Sequence, residues 1–165
     1  MKLFFKDSRP ALALLHILLP VVALPAFGAC VGFFTRQGVD QWYQTLQKSS
    51  LNPPDWVFGA VWTLLYVMMG LSLGLLWQKA SRVPTRVFGL FALQLVLNLA
   101  WSFVFFQLHW LWVSTIWVAA LIGLVGFLIV KIWPLHRLAS LLLWPYLAWL
   151  GFALILSFGI VRLNG

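Results

Sequence analysis

The sequence predicts an all-α membrane protein, a single domain of five transmembrane helices over residues 1–165. Hydrophobic residues make up 63% of the chain and charged residues only 8%, whereas a soluble domain carries about a quarter charged residues. Runs without any Asp, Glu, Lys or Arg recur along the chain. Each run is long enough to supply the roughly 20 apolar residues that one helix needs to cross a bilayer.

We place the spans at roughly residues 10–34, 54–77, 86–107, 110–131 and 137–161. The third and fourth share one uncharged run, from Val87 to Val130. As a single helix that run would be about 66 Å long, twice the thickness of a bilayer core. The run must therefore turn back, and Gln107 and His109 mark the turn because the indoles of Trp110 and Trp112 beside them favour the membrane interface.

Lys and Arg residues are distributed unevenly between the two sides of this bundle. The amino end and the loops near residues 79–86 and 131–137 hold eight, and the other side holds Arg36, Lys48 and Arg162. Because basic residues accumulate in cytoplasmic loops, we expect a bacterial cell membrane protein with its amino terminus in the cytoplasm. The net charge of +8 is explained by this bias, and nucleic acid is not an expected partner because no binding module is recognisable.

The charged groups that drive most proton-coupled transport are missing from the interior of the predicted spans. Asp7, Asp40 and Asp55 all lie at or beyond span ends, whereas pumps usually bury such groups in the membrane. Cys30 is the only cysteine, and no metal-ligand cluster or nucleophilic constellation can be assembled. We therefore predict no metal site, no required cofactor and no conventional catalytic residues.

Aromatic and neutral polar residues share helical faces in three of the spans, because they recur at intervals of three or four residues. The groups are Trp62 with Tyr66, then Gln94 with Asn98, Trp101 and Ser102, and finally Trp149 with Ala153. A cavity lined in this way suits a flat, hydrophobic ligand. The alternative is that the polar residues only join neighbouring helices and the aromatic residues pack or face lipid.

Two pairs of small residues indicate close helix packing: Gly70 with Gly74, and Ala119 with Gly123. Small residues four apart let two helices approach closely in a membrane. We predict a homodimer that uses one of these steps. The alternative is that the same steps pack helices within one chain.

Four motifs occur in order along the chain: Trp42-Tyr43, the segment 51–66 that begins Leu51-Asn52-Pro53-Pro54-Asp55-Trp56, the segment 94–102, and Trp144-Pro145-Tyr146-Leu147-Ala148-Trp149. Together they resemble the tryptophan-rich sensory protein or translocator protein (peripheral benzodiazepine receptor) family over nearly the whole chain. The resemblance implies a five-helix bundle, commonly a homodimer, whose pocket is closed by the first loop, residues 35–53. It also implies porphyrins, sterols and benzodiazepine-type drugs as ligands.

Carried onto this sequence, the resemblance implies a ligand site formed by Tyr43, Pro53, Trp62, Tyr66, Asn98, Trp101, Trp149 and Ala153. The leading hypothesis is a membrane-embedded sensor or regulator of tetrapyrrole homeostasis or stress that binds protoporphyrin or haem. One alternative is a light- or oxidant-dependent porphyrin-degrading enzyme that uses Trp62 and Trp149. Another is a porphyrin or sterol transporter, although the chain lacks the buried charges and inverted repeats typical of many transporters.

The topology can be tested with reporter fusions. We expect an amino-terminal reporter to be active on the cytoplasmic side and a carboxyl-terminal reporter on the opposite side, because five spans separate the ends and eight basic residues lie on the amino-terminal side. Two reporters on the same side would contradict the five-span topology.

Overall fold

The computed structural model describes residues 8–165, and its helices are α1 Ser8–Gln37, α2 Tyr43–Thr45, α3 Asp55–Trp77, α4 Thr85–Phe106, α5 Leu111–Ile132, α6 Arg137–Leu141 and α7 Trp144–Asn164. Five stretches within residues 8–165 are long and apolar enough to cross a membrane: Ala11–Thr45, Asp55–Trp77, Thr85–Phe106, Leu111–Ile132 and Arg137–Asn164. The predicted fold class, an all-α bundle of five transmembrane helices, is therefore confirmed. Lys2, Lys6 and the side chain of Arg9, which enter the charge count, lie outside the described part.

The long helices form a closed ring in the order α1, α3, α7, α5, α4. α1 packs most extensively on α3 and also contacts α4, while α5 lies between α4 and α7. Aromatic contacts close the ring between α3 and α7: the ring centroids of Phe58 and Trp149 are 5.9 Å apart, and those of Trp62 and Tyr146 are 6.2 Å apart. This order brings faces of α1, α3, α4 and α7 together at the centre.

The first helix continues beyond the apolar run from which its span was predicted. The predicted loop begins at residue 35, but α1 ends at Gln37 and leads through a π-helical turn, Gly38–Trp42, into α2. The extension is held by tertiary contacts, since Gly38 lies against Phe106 and the ring of Trp42 stacks on His109 with centroids 4.0 Å apart. Polar composition indicated a loop here, and packing against α4 makes it helical instead.

The double-length apolar run turns back between α4 and α5, at residues 107–110. His109 has a φ of 58°, a left-handed conformation that is uncommon outside glycine but enriched in His. Gln107 Nε2 donates a hydrogen bond to the carbonyl oxygen of Phe34 at 3.0 Å. The turn is thereby attached to the end of α1.

The fifth span is divided into two helices, which the sequence did not predict. α6 ends at Leu141 and α7 begins at Trp144, with Pro145 in its first turn, where a proline loses no helical hydrogen bond. Ser140 Oγ in α6 donates to the carbonyl oxygen of Ile129 in α5 at 2.9 Å. α6 is thereby fixed to the end of α5.

Two glycines of α3, Gly70 and Gly74, lie directly against the backbone of α1. A Cβ atom at Gly70 would lie 2.7 Å from the carbonyl oxygen of Pro20, and one at Gly74 would lie 2.8 Å from that of His16. The Gly70–Gly74 step therefore serves packing within one chain, the alternative to a dimer contact. Ala119 and Gly123 are exposed, so a homodimer through that second step stays a prediction.

Replacement of Gly70 by leucine should destabilise the fold by about 3 kcal/mol or more, at the upper end of overpacking effects, because the obstacle is the α1 backbone and not a movable side chain. Gly89→Leu is the matched control, since this glycine of α4 is exposed and nothing in the described part of the chain lies within 4 Å of a Cβ there. It should be neutral or stabilising by up to about 1 kcal/mol through helix propensity. Thermal unfolding in detergent, followed by circular dichroism, measures both, and equal midpoints would contradict the α1–α3 packing.

Candidate functional site

A cavity of about 390 Å³ lies in the half of the bundle nearest the first loop. Its wall is formed by α1, α3, α4 and α7 together with the turn that follows α1, and α5 does not contribute. This volume falls within the range of roughly 300–1,000 Å³ that is usual for small-molecule sites. The cavity is therefore large enough for a small organic ligand.

Three indoles line the cavity, one each from α3, α4 and α7: Trp62, Trp101 and Trp149. Trp101 is oriented by its Nε1–H, which donates to the carbonyl oxygen of Ser114 at 2.9 Å, and it stacks on Phe105 with ring centroids 5.1 Å apart. Trp62 lies against Tyr66, with centroids 5.6 Å apart. Because neighbouring side chains hold these rings, the wall presents aromatic surface on three sides.

Two hydrogen-bonded side chains form the floor of the cavity. Tyr66 Oη donates to Asn98 Oδ1 at 2.8 Å, and both residues are buried. Near them, the hydroxyl of Tyr146 and the Oε1 atom of Gln94 are buried without a hydrogen-bond partner among the described residues. Since an unpaired polar group inside a bilayer costs several kcal/mol, the Tyr66–Asn98 bond is an important link between α3 and α4.

The segment after α2, residues 46–54, is attached to structure on both sides of the cavity mouth. Tyr43 lines the cavity, and its hydroxyl donates to Asn52 Oδ1 at 2.7 Å. The backbone N–H of Gln47 donates to Asn164 Oδ1 and Asn164 Nδ2 donates to the carbonyl oxygen of Gln47, each at 2.9 Å. Pro53 is not among the lining residues. That this segment acts as a lid stays a prediction.

Charged groups lie around the mouth of the cavity. Lys48 Nζ lies 4.1 Å from the centroid of the Tyr43 ring and donates to the neutral Gln44 Oε1 at 3.1 Å. Arg36 Nε is instead paired with Asp40 Oδ2 at 3.1 Å, with both side chains exposed. The carboxylate residue Asp55 lines the cavity edge. Of the two basic residues in the predicted first loop, Lys48 is therefore the better placed to meet an anionic group at the mouth.

The cavity also has an opening through the side of the bundle, between α1 and α3. Ala29 and Gly32 of α1, and Gly59 and Thr63 of α3, line the cavity and are exposed at the same time. A Cβ atom at Gly32 or Gly59 would have no neighbour within 4 Å. Because α1 and α3 are membrane-spanning helices, this gap faces the hydrocarbon region of the bilayer.

The structure brings seven of the eight predicted site residues to the wall of this one cavity: Tyr43, Trp62, Tyr66, Asn98, Trp101, Trp149 and Ala153. That they bind a ligand stays a prediction. The sequence-based prediction missed the contribution of α1, which comes from Val31, Thr35 and four small residues, Pro25, Gly28, Ala29 and Gly32. These small residues recur at helical intervals, the one available signal in a helix that is apolar nearly all round.

The floor of the cavity provides a stability test. Tyr66→Phe should destabilise the protein by about 1–3 kcal/mol, because it leaves Asn98 Oδ1 buried without its donor. Thr63→Val is a suitable control, since Thr63 Oγ1 bonds only within its own helix, to the carbonyl oxygen of Gly59 at 2.8 Å, and its side chain is exposed. Thermal unfolding in detergent compares the two variants. An equal loss of stability in both would show that the buried hydrogen bond between Tyr66 and Asn98 contributes nothing of its own.

Comparison with known proteins places the chain in a family. Residues 20–163 match the TspO/MBR family. The chain is 40% identical over 151 residues to the tryptophan-rich protein TspO of Archaeoglobus fulgidus. The aligned region covers 92% of this chain and 98% of that protein. It is 37% identical over 148 residues to the translocator protein of Homo sapiens, which covers 85% of each. It is also 35% identical over 126 residues to protein CrtK of Rhodobacter capsulatus, which covers 74% of this chain and 78% of that protein. The resemblance carried by the four motifs is confirmed, and the chain belongs to the TspO/MBR family of membrane proteins.

Proposed function

We propose that this protein binds a porphyrin or a related tetrapyrrole in the central cavity and acts as a sensor or regulator of tetrapyrrole homeostasis or stress. The observation that carries the proposal is the aromatic wall formed by Trp62, Trp101 and Trp149. A porphyrin is flat and largely apolar, so it gains from stacking on indoles, at about 0.5–1.5 kcal/mol for each aromatic contact beyond area burial. Protoporphyrin and haem are the ligands to test first.

The side opening between α1 and α3 supports a hydrophobic ligand. Ala29, Gly32 and Gly59 surround the opening, and none of them has a side chain large enough to block it. A ligand dissolved in the bilayer would reach the indoles through this gap without crossing the polar mouth. Sterols and benzodiazepine-type compounds would enter by the same route and are further candidate ligands.

The carboxylates of a porphyrin need a polar environment, which the cavity mouth provides. Lys48 already lies over the Tyr43 ring and would form a charge-assisted hydrogen bond with a propionate group at the mouth. Arg36 would first have to leave Asp40, to which it is bonded at 3.1 Å. Exposed charge pairs are screened by salt. Added salt should therefore weaken porphyrin binding.

Two further functions fit the same cavity. Oxidative degradation of the porphyrin, driven by light or an oxidant, is favoured by the position of Trp62 and Trp149, because both indoles line the cavity and would lie beside the ring. Transport of a porphyrin or a sterol is consistent with a cavity that opens both at the mouth and through the side. A homodimer in a bacterial cell membrane, with the amino end in the cytoplasm, is the assembly that we propose for all three functions.

Titration with protoporphyrin in dim light tests the proposal. Trp62→Ala and Trp149→Ala should each weaken binding by about two- to twelvefold, the range that corresponds to the loss of one aromatic contact. Trp133→Ala is the matched control, because this exposed indole lies beyond the end of α5 and does not line the cavity. Quenching of tryptophan fluorescence, corrected for inner-filter effects, provides the affinity.

The outcomes of this titration separate binding in the cavity from binding elsewhere, and binding alone from degradation. Unchanged affinity in a Trp62→Ala/Trp149→Ala double variant would contradict binding in the cavity. Loss of porphyrin absorbance in wild-type protein only under illumination, abolished in the double variant, would favour the degrading enzyme. Binding without such a loss would support the sensor or regulator.

A further inference from the structure

A second cleft lies at the opposite end of the bundle, between the end of α3 and the turn that joins α5 to α6. It has a volume of about 520 Å³ and shares no lining residue with the central cavity. Its wall contains the cationic residues Lys79 and Arg137, the imidazole of His136 and the indole of Trp133. Pro134, Leu135 and Leu138 complete it. None of these residues has a role in the function proposed above.

A buried hydrogen bond fixes the two walls of this cleft relative to each other, and a second, local bond orders the turn. Ser72 Oγ in α3 donates to the carbonyl oxygen of Ala139 in α6 at 2.7 Å, and both residues are fully buried. The backbone N–H of Ala139 also donates to His136 Nδ1, at 3.3 Å. Lys79 lies two residues beyond the end of α3, and its backbone N–H still donates to the carbonyl oxygen of Leu76 at 3.0 Å. The contact between α3 and α6 therefore holds Lys79 close to the α5–α6 turn. The cleft therefore belongs to the folded structure and does not depend on one flexible loop.

The cleft carries positive charge that no described acid compensates. Within residues 8–165 the acids are Asp40 and Asp55, and both lie at the other end of the bundle. Partial burial, followed by the nearby Lys79 ammonium, lowers the pKa of His136, so the imidazole is neutral at pH 7. Because His136 Nδ1 accepts a hydrogen bond, the proton of the neutral ring resides on Nε2, which adds a neutral donor beside the two cations.

The apolar part of the cleft distinguishes it from a simple anion site. Trp133 remains 44% exposed, as expected for an indole at the level of the lipid headgroups. The guanidinium of Arg137 lies over this ring, with Cζ 5.9 Å from the centroid, and Leu138 beside it is 55% exposed. Cationic groups therefore border an apolar surface that continues toward the bilayer, an arrangement that suits a ligand with an anionic head and hydrocarbon chains.

We propose that this cleft binds an anionic phospholipid, with Lys79 and Arg137 on the oxygens of its phosphate and Trp133 beside the upper part of its acyl chains. Lysine and arginine both bind phosphate through charge-assisted hydrogen bonds. Inorganic phosphate offers the same head chemistry without the chains. The exposed Trp133 and Leu138 favour the lipid.

The test uses the full-length protein in detergent and native mass spectrometry with three probes: dioctanoyl phosphatidylglycerol, dioctanoyl phosphatidylcholine and inorganic phosphate. We expect saturable binding of the phosphatidylglycerol. Phosphatidylcholine and inorganic phosphate should each bind at least about tenfold more weakly. The double variant Lys79→Gln/Arg137→Gln should weaken binding of phosphatidylglycerol by about ten- to thirtyfold. Each basic residue near an anionic surface contributes about a factor of five to the affinity. Thermal unfolding checks that this variant is folded, and the two single variants, each expected to lose about fivefold, replace it if it is not.

Arg82→Gln/Lys131→Gln is the matched control, because it removes the same charge from exposed positions that do not line the cleft. It should weaken binding by less than about threefold, since neither residue lines the cleft and neither would contact the phosphate of the bound lipid. Equal losses in the two double variants would overturn the proposal in favour of general electrostatic attraction. If phosphatidylcholine bound as tightly as phosphatidylglycerol, the proposal would be overturned in favour of apolar adsorption. Equally tight binding of inorganic phosphate would overturn the assignment to a lipid.

Discussion

The contact between α1 and α3 at Gly70 and Gly74 determines where the rest of the structure can form. In a bilayer there is little hydrophobic driving force between helices, so close van der Waals packing of small residues is a main source of association. Here the α1 backbone at His16 and Pro20 fills the space that side chains would need at the two glycines. This contact fixes the direction of α1. The extension of that helix then brings Tyr43 to the mouth of the central cavity.

A small number of polar contacts determine which helices become neighbours. Tyr66 joins α3 to Asn98 of α4, and Ser72 joins α3 to α6. The Nε1–H of Trp117 in α5 donates to the carbonyl oxygen of Leu97 in α4 at 3.1 Å. Hydrogen bonds of this kind contribute only about 0.6–2 kcal/mol each in membranes. Their main effect is on specificity, because any other helix order would leave several of these groups unpaired in a medium without water.

Much of this architecture could be predicted from the sequence, because the runs without charged residues directly indicate membrane spans. The presence of a turn between α4 and α5 followed from the length of the uncharged run, and the polar residues Gln107 and His109 indicated its place. Residues on three walls of the cavity were predictable because each wall combines aromatic and polar side chains at helical spacing, as in Trp62 with Tyr66 and Asn98 with Trp101. The four motifs identified the same walls.

Features that depend on contacts between distant parts of the chain could not be predicted. α1 is apolar nearly all round, so hydrophobicity did not distinguish the face that lines the cavity from the faces toward lipid, and the spacing of its small residues was the one available signal. The helical extension through Gly38 and Trp42 depends on packing against α4 and its following turn, and its polar composition indicated a loop. The interruption between α6 and α7 depends on the position of Ser140 against Ile129. Whether Gly70 and Gly74 serve one chain or two could be decided only in the folded structure.

The packing of α1 on α3 is close at Gly70 and Gly74, which form a joint between the two helices, and open at the other end of the pair. The open end includes Gly32 of α1 and Gly59 of α3, where a Cβ atom would have no described neighbour within 4 Å. At 1.5 Å per residue, Gly59 lies about 16 Å along the helix from Gly70. A rotation of about 5° at the joint would therefore change the width of the side opening by about 1.4 Å. A small adjustment at two glycines is thus amplified into a displacement comparable to the radius of a carbon atom.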